Sequence, residues 1–252
     1  MPPDEAGALS EQLDELAGIL AGLGTADWSR PTRCDGWDVA DVVLHLAQTN
    51  EMAVASLEGR YPESVARLTA GLPPARDVDE GAASMVAQER GQPTSAVRHR
   101  WLESARALAA GAGTADPSVR VMWVAGLLSA RTLTTTRLAE TWIHTGDVAE
   151  AVGVTLAPAE RLRAVARLAW RTLPYAFERA NRRLGGPVAF HLRGPSGAAW
   201  DLVPDDEPLT VIRGSGPELC LVAARRLRPE QTGLTAEGPD GPAVLELVRT
   251  YA

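Results

Sequence analysis

The sequence predicts an α plus α+β protein, with a helical bundle over residues 1–184 and a small α+β domain over residues 185–252. Three observations predict it. Up to about residue 184 the apolar side chains recur at the period of a helix face, with no convincing alternating strand. From "LGGPVAF" onward, short runs rich in β formers replace that pattern, separated by Gly, Pro and Asp turns. The closing segments then return to helical spacing.

The elements follow in order. Leu9, Leu13, Leu16, Ile19, Leu20 and Leu23 line one face of a first helix, which "GLG" stops. After the loop "TADWSRPTRCDGW", Asp38 is the expected N-cap of a second helix, "VADVVLHLAQTNEMAVASLEG", with Val39, Val42, Val43 and Leu46 on its apolar side. From Arg60 to about Gln88 the chain is richer in Pro, Gly and Asp and reads as a partly irregular connection. "TSAVRHRWLESARALAAG" is a third helix. A long helical pattern runs from about Leu127 to Ala151, with a bend expected near Gly146. "PAERLRAVARLAWRTLPYAFERANRR" is a further helix, opened by Pro158 in a favourable first-turn position. "VAFHLRG", "GAAWDLV" and "LTVIRGS" are strands, and "PELCLVAARRL" and "PAVLELVRTYA" are helices. There is no internal repeat and no low-complexity tract.

Bulk properties narrow the function. A chain of 252 residues that is 45% hydrophobic has ample material for a packed core. A formal net charge of -7 argues against general nucleic-acid binding. No apolar run approaches the roughly 20 residues that span a bilayer, so no membrane association is expected. The acidic start lacks the layout of a secretory signal, and Cys34 and Cys220 have no motif spacing; a cytoplasmic chain with reduced thiols is the simplest reading. Every basic side chain is arginine. Without lysine there is no Schiff-base chemistry and no Walker-type phosphate loop.

"LAETWIHTGDVAEAVG" places Glu140 and His144 four residues apart, one above the other on a helix, with Asp147 extending the stripe. Leu138, Trp142, Ile143 and Val148 make the helix an inner one, where a lone carboxylate is costly. A Glu–His hydrogen bond satisfies it; so does a divalent metal. His45, within "DVVLHLAQ", falls on the inward face of another helix. It is either a hydrogen-bonded core histidine or the third member of a two-imidazole, one-carboxylate set, the donor set of an open catalytic zinc site.

"PTRCDGWDVADVVLHLA", "RLAETWIHTGDVAEAVG" and "GSGPELCLVAARR" occur in the order seen in one superfamily. On these motifs the chain resembles the mycothiol-dependent maleylpyruvate isomerase family, a branch of the DinB-like metal-binding four-helix bundles that carries a sterol-carrier-like C-terminal domain. The resemblance spans nearly the whole chain. It implies that His45, Glu140 and His144 are metal ligands, with zinc expected first and nickel, iron or manganese also compatible. It implies mycothiol as cosubstrate: the thiol adds to an activated double bond, and rotation and elimination give the trans isomer. Other members transfer the thiol and stop there. Arg226 matches the family's arginine at the end of the corresponding C-terminal helix. The departure lies at His144-Thr145-Gly146-Asp147, where close relatives often carry glutamine before the aspartate.

Guanidinium groups bind carboxylates in a bidentate fork, so Arg226 and Arg137 are candidate clamps for a small substrate, including carboxylated ones. Arg137 lies three residues before Glu140 and is placed on the same cavity; a surface arginine is the alternative for both. Asp147 is a candidate to orient His144, to bind water, or merely to cap the next helical turn. Trp37 and Trp142 are candidates to line the pocket. Ser196 in "GPSG" lacks the glycine spacing of a nucleophile elbow. His191 reads as structural and His99 as solvated. The expected function is a metal-dependent isomerase or thiol transferase. A thiol-independent hydrolase, lyase or cyclase and a non-catalytic ligand-binding module are the alternatives.

Overall fold

The structure, a computed structural model, describes residues 4–124 and 126–250. The chain divides into two compact units, one from Asp4 to Leu156 and one from Ala157 onward.

The first unit is built on four long helices: α1 (Glu5–Ala21), α2 (Val39–Leu57), α5 (Thr94–Thr114) and α6 (Ala130–Val152). α1 packs against α5 and α6, and α2 packs against the same two, which closes the four-helix bundle. Sequence signals set their ends. Asp4 caps α1 by accepting from Gly7 N at 2.8 Å, and Asp38 caps α2 by accepting from Asp41 N at 2.9 Å. Gly153, at φ 75°, closes α6 in the left-handed conformation that glycine adopts freely. α6 runs without interruption through Gly146. Its inner face buries Leu133, Leu138, Ile143 and Val148 beside the polar Arg137, Thr141, His144 and Asp147.

Two expectations for this unit are corrected. The stretch from Arg60 to Gln88 holds α3 (Tyr61–Leu68) and α4 (Val78–Glu89). Pro62 stands in the first turn of α3, a compatible position, and Asp77 caps α4 through Glu80 N at 2.8 Å. Both helices pack on α2, and Arg90 ties the end of α4 to Asp41 at 2.7 Å. The long helix is preceded by an antiparallel hairpin of β1 (Arg120–Trp123) and β2 (Gly126–Ser129), paired Val121 to Leu128 and Trp123 to Gly126. Val121 and Trp123 face inward and alternate with exposed residues. Four residues are too short a run for that alternation to stand out in the sequence.

In the second unit α7 (Leu162–Arg171) and α8 (Leu173–Arg179) precede a four-stranded sheet of order β4–β3–β5–β6. Its strands are β3 (Val188–Arg193), β4 (Ala199–Leu202), β5 (Thr210–Ser215) and β6 (Thr235–Glu237). β3 and β5 are parallel and the other pairs antiparallel. α9 (Gly216–Ala223) and α10 (Gly241–Leu247) complete it; Tyr251 and Ala252, the last residues of the expected final helix, lie outside the described residues. Phe190, Trp200, Ile212, Leu219 and Val222 form its core.

The expected boundary near Gly185 is therefore not where the compact units part. α7 buries Leu162, Val165, Ala166, Leu168 and Ala169 within the second unit, largely against α9. Trp170 Nε1 donates to Val188 O at 2.7 Å, and the Glu160 carboxylate accepts from Ser196 N and Trp200 Nε1, each at 2.9 Å. The single helix expected from Pro158 begins only at Leu162 and breaks at Thr172. Pro174 lacks the N–H a continuous helix needs and its ring clashes with the preceding turn.

Candidate metal centre

His45 sits in the second turn of α2, and Glu140 and His144 sit one turn apart on α6. Packing of α2 on α6 brings their tips together. His45 Nε2 lies 3.0 Å and His144 Nε2 3.4 Å from the same oxygen, Glu140 Oε1. The ligand atoms of the three residues all lie within 4.8 Å of one another. The imidazole rings meet edge to face with centroids 5.2 Å apart, and the Trp37 ring packs on His45 at 5.1 Å. No such ring contact joins Trp142 to the cluster among the described residues. The imidazoles are buried, whereas the Glu140 side chain keeps 27% of its surface exposed, so the cluster has one solvent-facing edge.

Asp147 stands directly behind His144, with its Oδ2 2.9 Å from His144 Nδ1. This is the carboxylate partner that metal-ligating histidines usually have on their second nitrogen. His45 Nδ1 has no protein partner among the described residues. Two imidazole nitrogens and a carboxylate oxygen match the donors a borderline divalent ion takes in an open site, so these residues fit such an ion.

Local electrostatics divide the two histidines. Burial, together with the neighbouring His144 charge, keeps the His45 pKa below the usual 6.5 despite its bond to Glu140. Burial also acts to depress His144, but bonds with Asp147, Cys34 and Glu140 outweigh it and hold its pKa well above 6.5. Burial would raise the Glu140 pKa, yet the bonds from His144 and His45 keep it well below 4.5. These directions favour the protonated form of His144 and the ionised form of Glu140 and disfavour protonation of His45.

Arg137 lies one turn before Glu140 and is only 2% exposed, so it is no surface arginine. Its guanidinium donates to Thr49 Oγ1 at 2.9 Å and Asn50 Oδ1 at 3.2 Å, lies 6.0 Å from the Trp123 ring, and has Nε without a partner. Burial lowers its pKa, partly offset by Glu140. Arg226 belongs to the second unit, following α9, where its Nη1 donates to Ala224 O at 3.0 Å. His99 is exposed on α5. His191 bonds to Asp201 at 2.6 Å across the strand pair, and Ser196 Oγ donates to Glu160 at 2.6 Å.

Cys34 is the residue that sequence reasoning missed. Its Sγ lies 3.4 Å from Asp147 Oδ2 and 3.9 Å from His144 Nδ1. A lone cysteine in a loop carries no spacing to suggest this.

A four-helix bundle whose helices α2 and α6 bring a His, Glu, His trio together, followed in the same chain by a small α+β unit, defines the class of protein to which this chain belongs. Residues 9–149 match the mycothiol maleylpyruvate isomerase N-terminal domain, and the chain belongs to that family. It is 30% identical over 248 residues to two uncharacterized proteins of Mycobacterium tuberculosis, Rv0036c and MT0041, covering 97% of this chain and 93% of each relative. Its fold is similar to the crystal structure of the mycothiol-dependent maleylpyruvate isomerase, with TM-score 0.60 and 18% identity over 94% of this chain and 95% of that one. A histidine-to-alanine mutant of that isomerase superposes equally well, at 17% identity. Among the described residues no helix is long and apolar enough to cross a membrane.

Proposed function

We propose that this protein is a metal-dependent enzyme of the mycothiol-dependent maleylpyruvate isomerase type, acting on a small electrophile by isomerisation or S-transfer. The observation that carries the reading is the meeting of His45 Nε2, Glu140 Oε1 and His144 Nε2 from two helices at one partly open point. Family membership supports the thiol, and the donor set supports zinc as the first metal to test. A divalent ion held by His45, Glu140 and His144 would supply Lewis acidity and lower the pKa of a thiol or water bound to it.

The chain's own residues have separable tasks. His45, kept neutral by burial, offers a lone pair near neutral pH. Glu140 brings the negative charge that offsets the ion. Asp147 accepts the Nδ1 proton of His144 and so selects the tautomer whose Nε2 is free to ligate. Trp37 packs its ring against His45 and so helps to hold that imidazole in place. Arg137 and Arg226 are the proposed cationic groups for an acidic substrate. No cysteine nucleophile is required. Both cysteines are free thiols, which suits a cytoplasmic location.

Purified full-length protein should carry about one divalent ion per chain and convert maleylpyruvate, or conjugate an electrophile, only when mycothiol is added. His45→Ala should lose ion and turnover together. Turnover without thiol, or a metal-free protein that is fully active, would reject this function.

A further inference from the structure

His144 presents each of its ring nitrogens to a different acid. Nε2 faces Glu140 Oε1 at 3.4 Å, within the trio; Nδ1 faces Asp147 Oδ2 at 2.9 Å, where Cys34 Sγ also lies within 3.9 Å. Cys34, His144 and Asp147 have ligand atoms all within 4.8 Å of one another, as the trio does. A thiolate, an imidazole and a carboxylate around a tetrahedral ion at ordinary bond lengths stand roughly 3–4 Å apart, so little movement separates these side chains from a coordination shell.

The loop holding Cys34 is anchored rather than merely nearby. Thr32 Oγ1 donates to Trp37 O at 2.9 Å and accepts from Cys34 N at 3.2 Å, and Gly36 turns at φ 73°. Arg30 Nη1 donates to Ala151 O at 3.3 Å and Arg33 pairs with Glu150 at 3.3 Å, tying the segment that leads into the turn to the end of α6.

We propose that Cys34 Sγ, His144 Nδ1 and Asp147 Oδ2 form a second cation position, selective for a soft, thiophilic ion such as Cd2+ and mutually exclusive with the His45–Glu140–His144 position. The new position stands on its own geometry; only the exclusivity rests on the function proposed above. Neutral imidazole has a single lone pair, so His144 serves one ion at a time. Each tautomer has a carboxylate ready for its remaining N–H: Asp147 when Nε2 ligates, Glu140 when Nδ1 ligates. Binding at the second position releases the Cys34 thiol proton and the Nδ1 proton to solvent. Thiolate favours soft ions, while the His/Glu trio accepts harder ones. A soft ion seated beside Cys34 therefore withdraws His144 from the trio and inhibits.

Cadmium titration of the metal-free full chain tests this through the ultraviolet thiolate-to-cadmium charge-transfer band and the number of ions bound. The wild type should develop the band and saturate at one ion per chain. Cys34→Ser should lose the band while still binding one ion, and His45→Ala should keep it. Cadmium bound to wild type without the band, a band surviving in Cys34→Ser, or two ions bound together would overturn the proposal while leaving the trio reading intact. A band in wild type with no binding by Cys34→Ser would support the new position and overturn the trio instead. Failure to bind cadmium at all would overturn both.

Discussion

His144 Nδ1 lies 2.9 Å from Asp147 Oδ2, three residues further along the same helix and 1% exposed in its side chain. The carboxylate orients the ring and supports the tautomer that carries its hydrogen on Nδ1 when Nε2 ligates. Asp147→Asn is expected to preserve the fold, as judged by circular dichroism, and to weaken divalent metal binding about 10–100-fold. Unchanged metal affinity would reduce Asp147 to a helix-turn cap.

Metal retention should fall as pH falls. His144 binds its proton with a pKa raised well above 6.5, and that proton competes with an ion for Nε2. Metal content measured across a pH series should decline toward acid, and a flat profile from neutral to mildly acidic pH would contradict the competition.

The chelated protein should have its own stability profile. The raised His144 pKa contributes stability that is complete below 6.5 and fades as pH rises through the raised value. The depressed Glu140 pKa contributes stability present above 4.5 and lost as pH falls through the lowered value. Both contributions coincide between 4.5 and 6.5, offset in part by His45, whose lowered pKa makes acidification favour the unfolded chain. Thermal melting with chelator present should therefore weaken on the alkaline side; a melting temperature that rises steadily above neutrality would refute this assignment of charges.

Arg137 is buried, and among the described residues its guanidinium donates to the neutral acceptors Thr49 Oγ1 and Asn50 Oδ1. Arg137→Met replaces a desolvated charge with an apolar side chain of similar reach, a change that is often neutral or stabilising. The melting temperature should hold or rise. KM for a carboxylated substrate should increase about 10–100-fold, the equivalent of a lost charged hydrogen bond, with kcat less affected. A large fall in melting temperature would mark Arg137 as purely architectural.

Gly238 follows β6 at φ 93°, and a Cβ there would run into the Leu209 carbonyl oxygen and come within 2.8 Å of Thr210 Cα. Those neighbours are backbone and cannot swing aside. Gly238→Ala should cost at least about 1–3 kcal/mol, read as a lowered denaturation midpoint. A midpoint equal to wild type would mean that the β5–β6 edge relaxes freely.

Much of the architecture was legible because helices announce themselves locally. Asp38 and Gly153 mark their ends by cap chemistry, and the three strands Val188–Arg193, Ala199–Leu202 and Thr210–Ser215 are bracketed by turn residues. α7 shows the limit. Leu162, Val165 and Ala169 declare an apolar face, but a face does not say which unit will cover it, and so the division came at Leu156 rather than near Gly185.

The site divides in the same way. Sequence by itself determined that Glu140 and His144 share a helix face, since the pitch of α6 fixes residues four apart with no help from the rest of the chain. Only the tertiary structure decided that His45, 95 residues from Glu140, would bring Nε2 to the same carboxylate oxygen, and that Cys34 would reach the opposite nitrogen of His144. Those meetings depend on how α2 lies against α6 and on a loop tied to the helix end. Periodicity encodes which residues face inward; the packing of distant segments sets the distance between their atoms, and coordination chemistry responds to that distance.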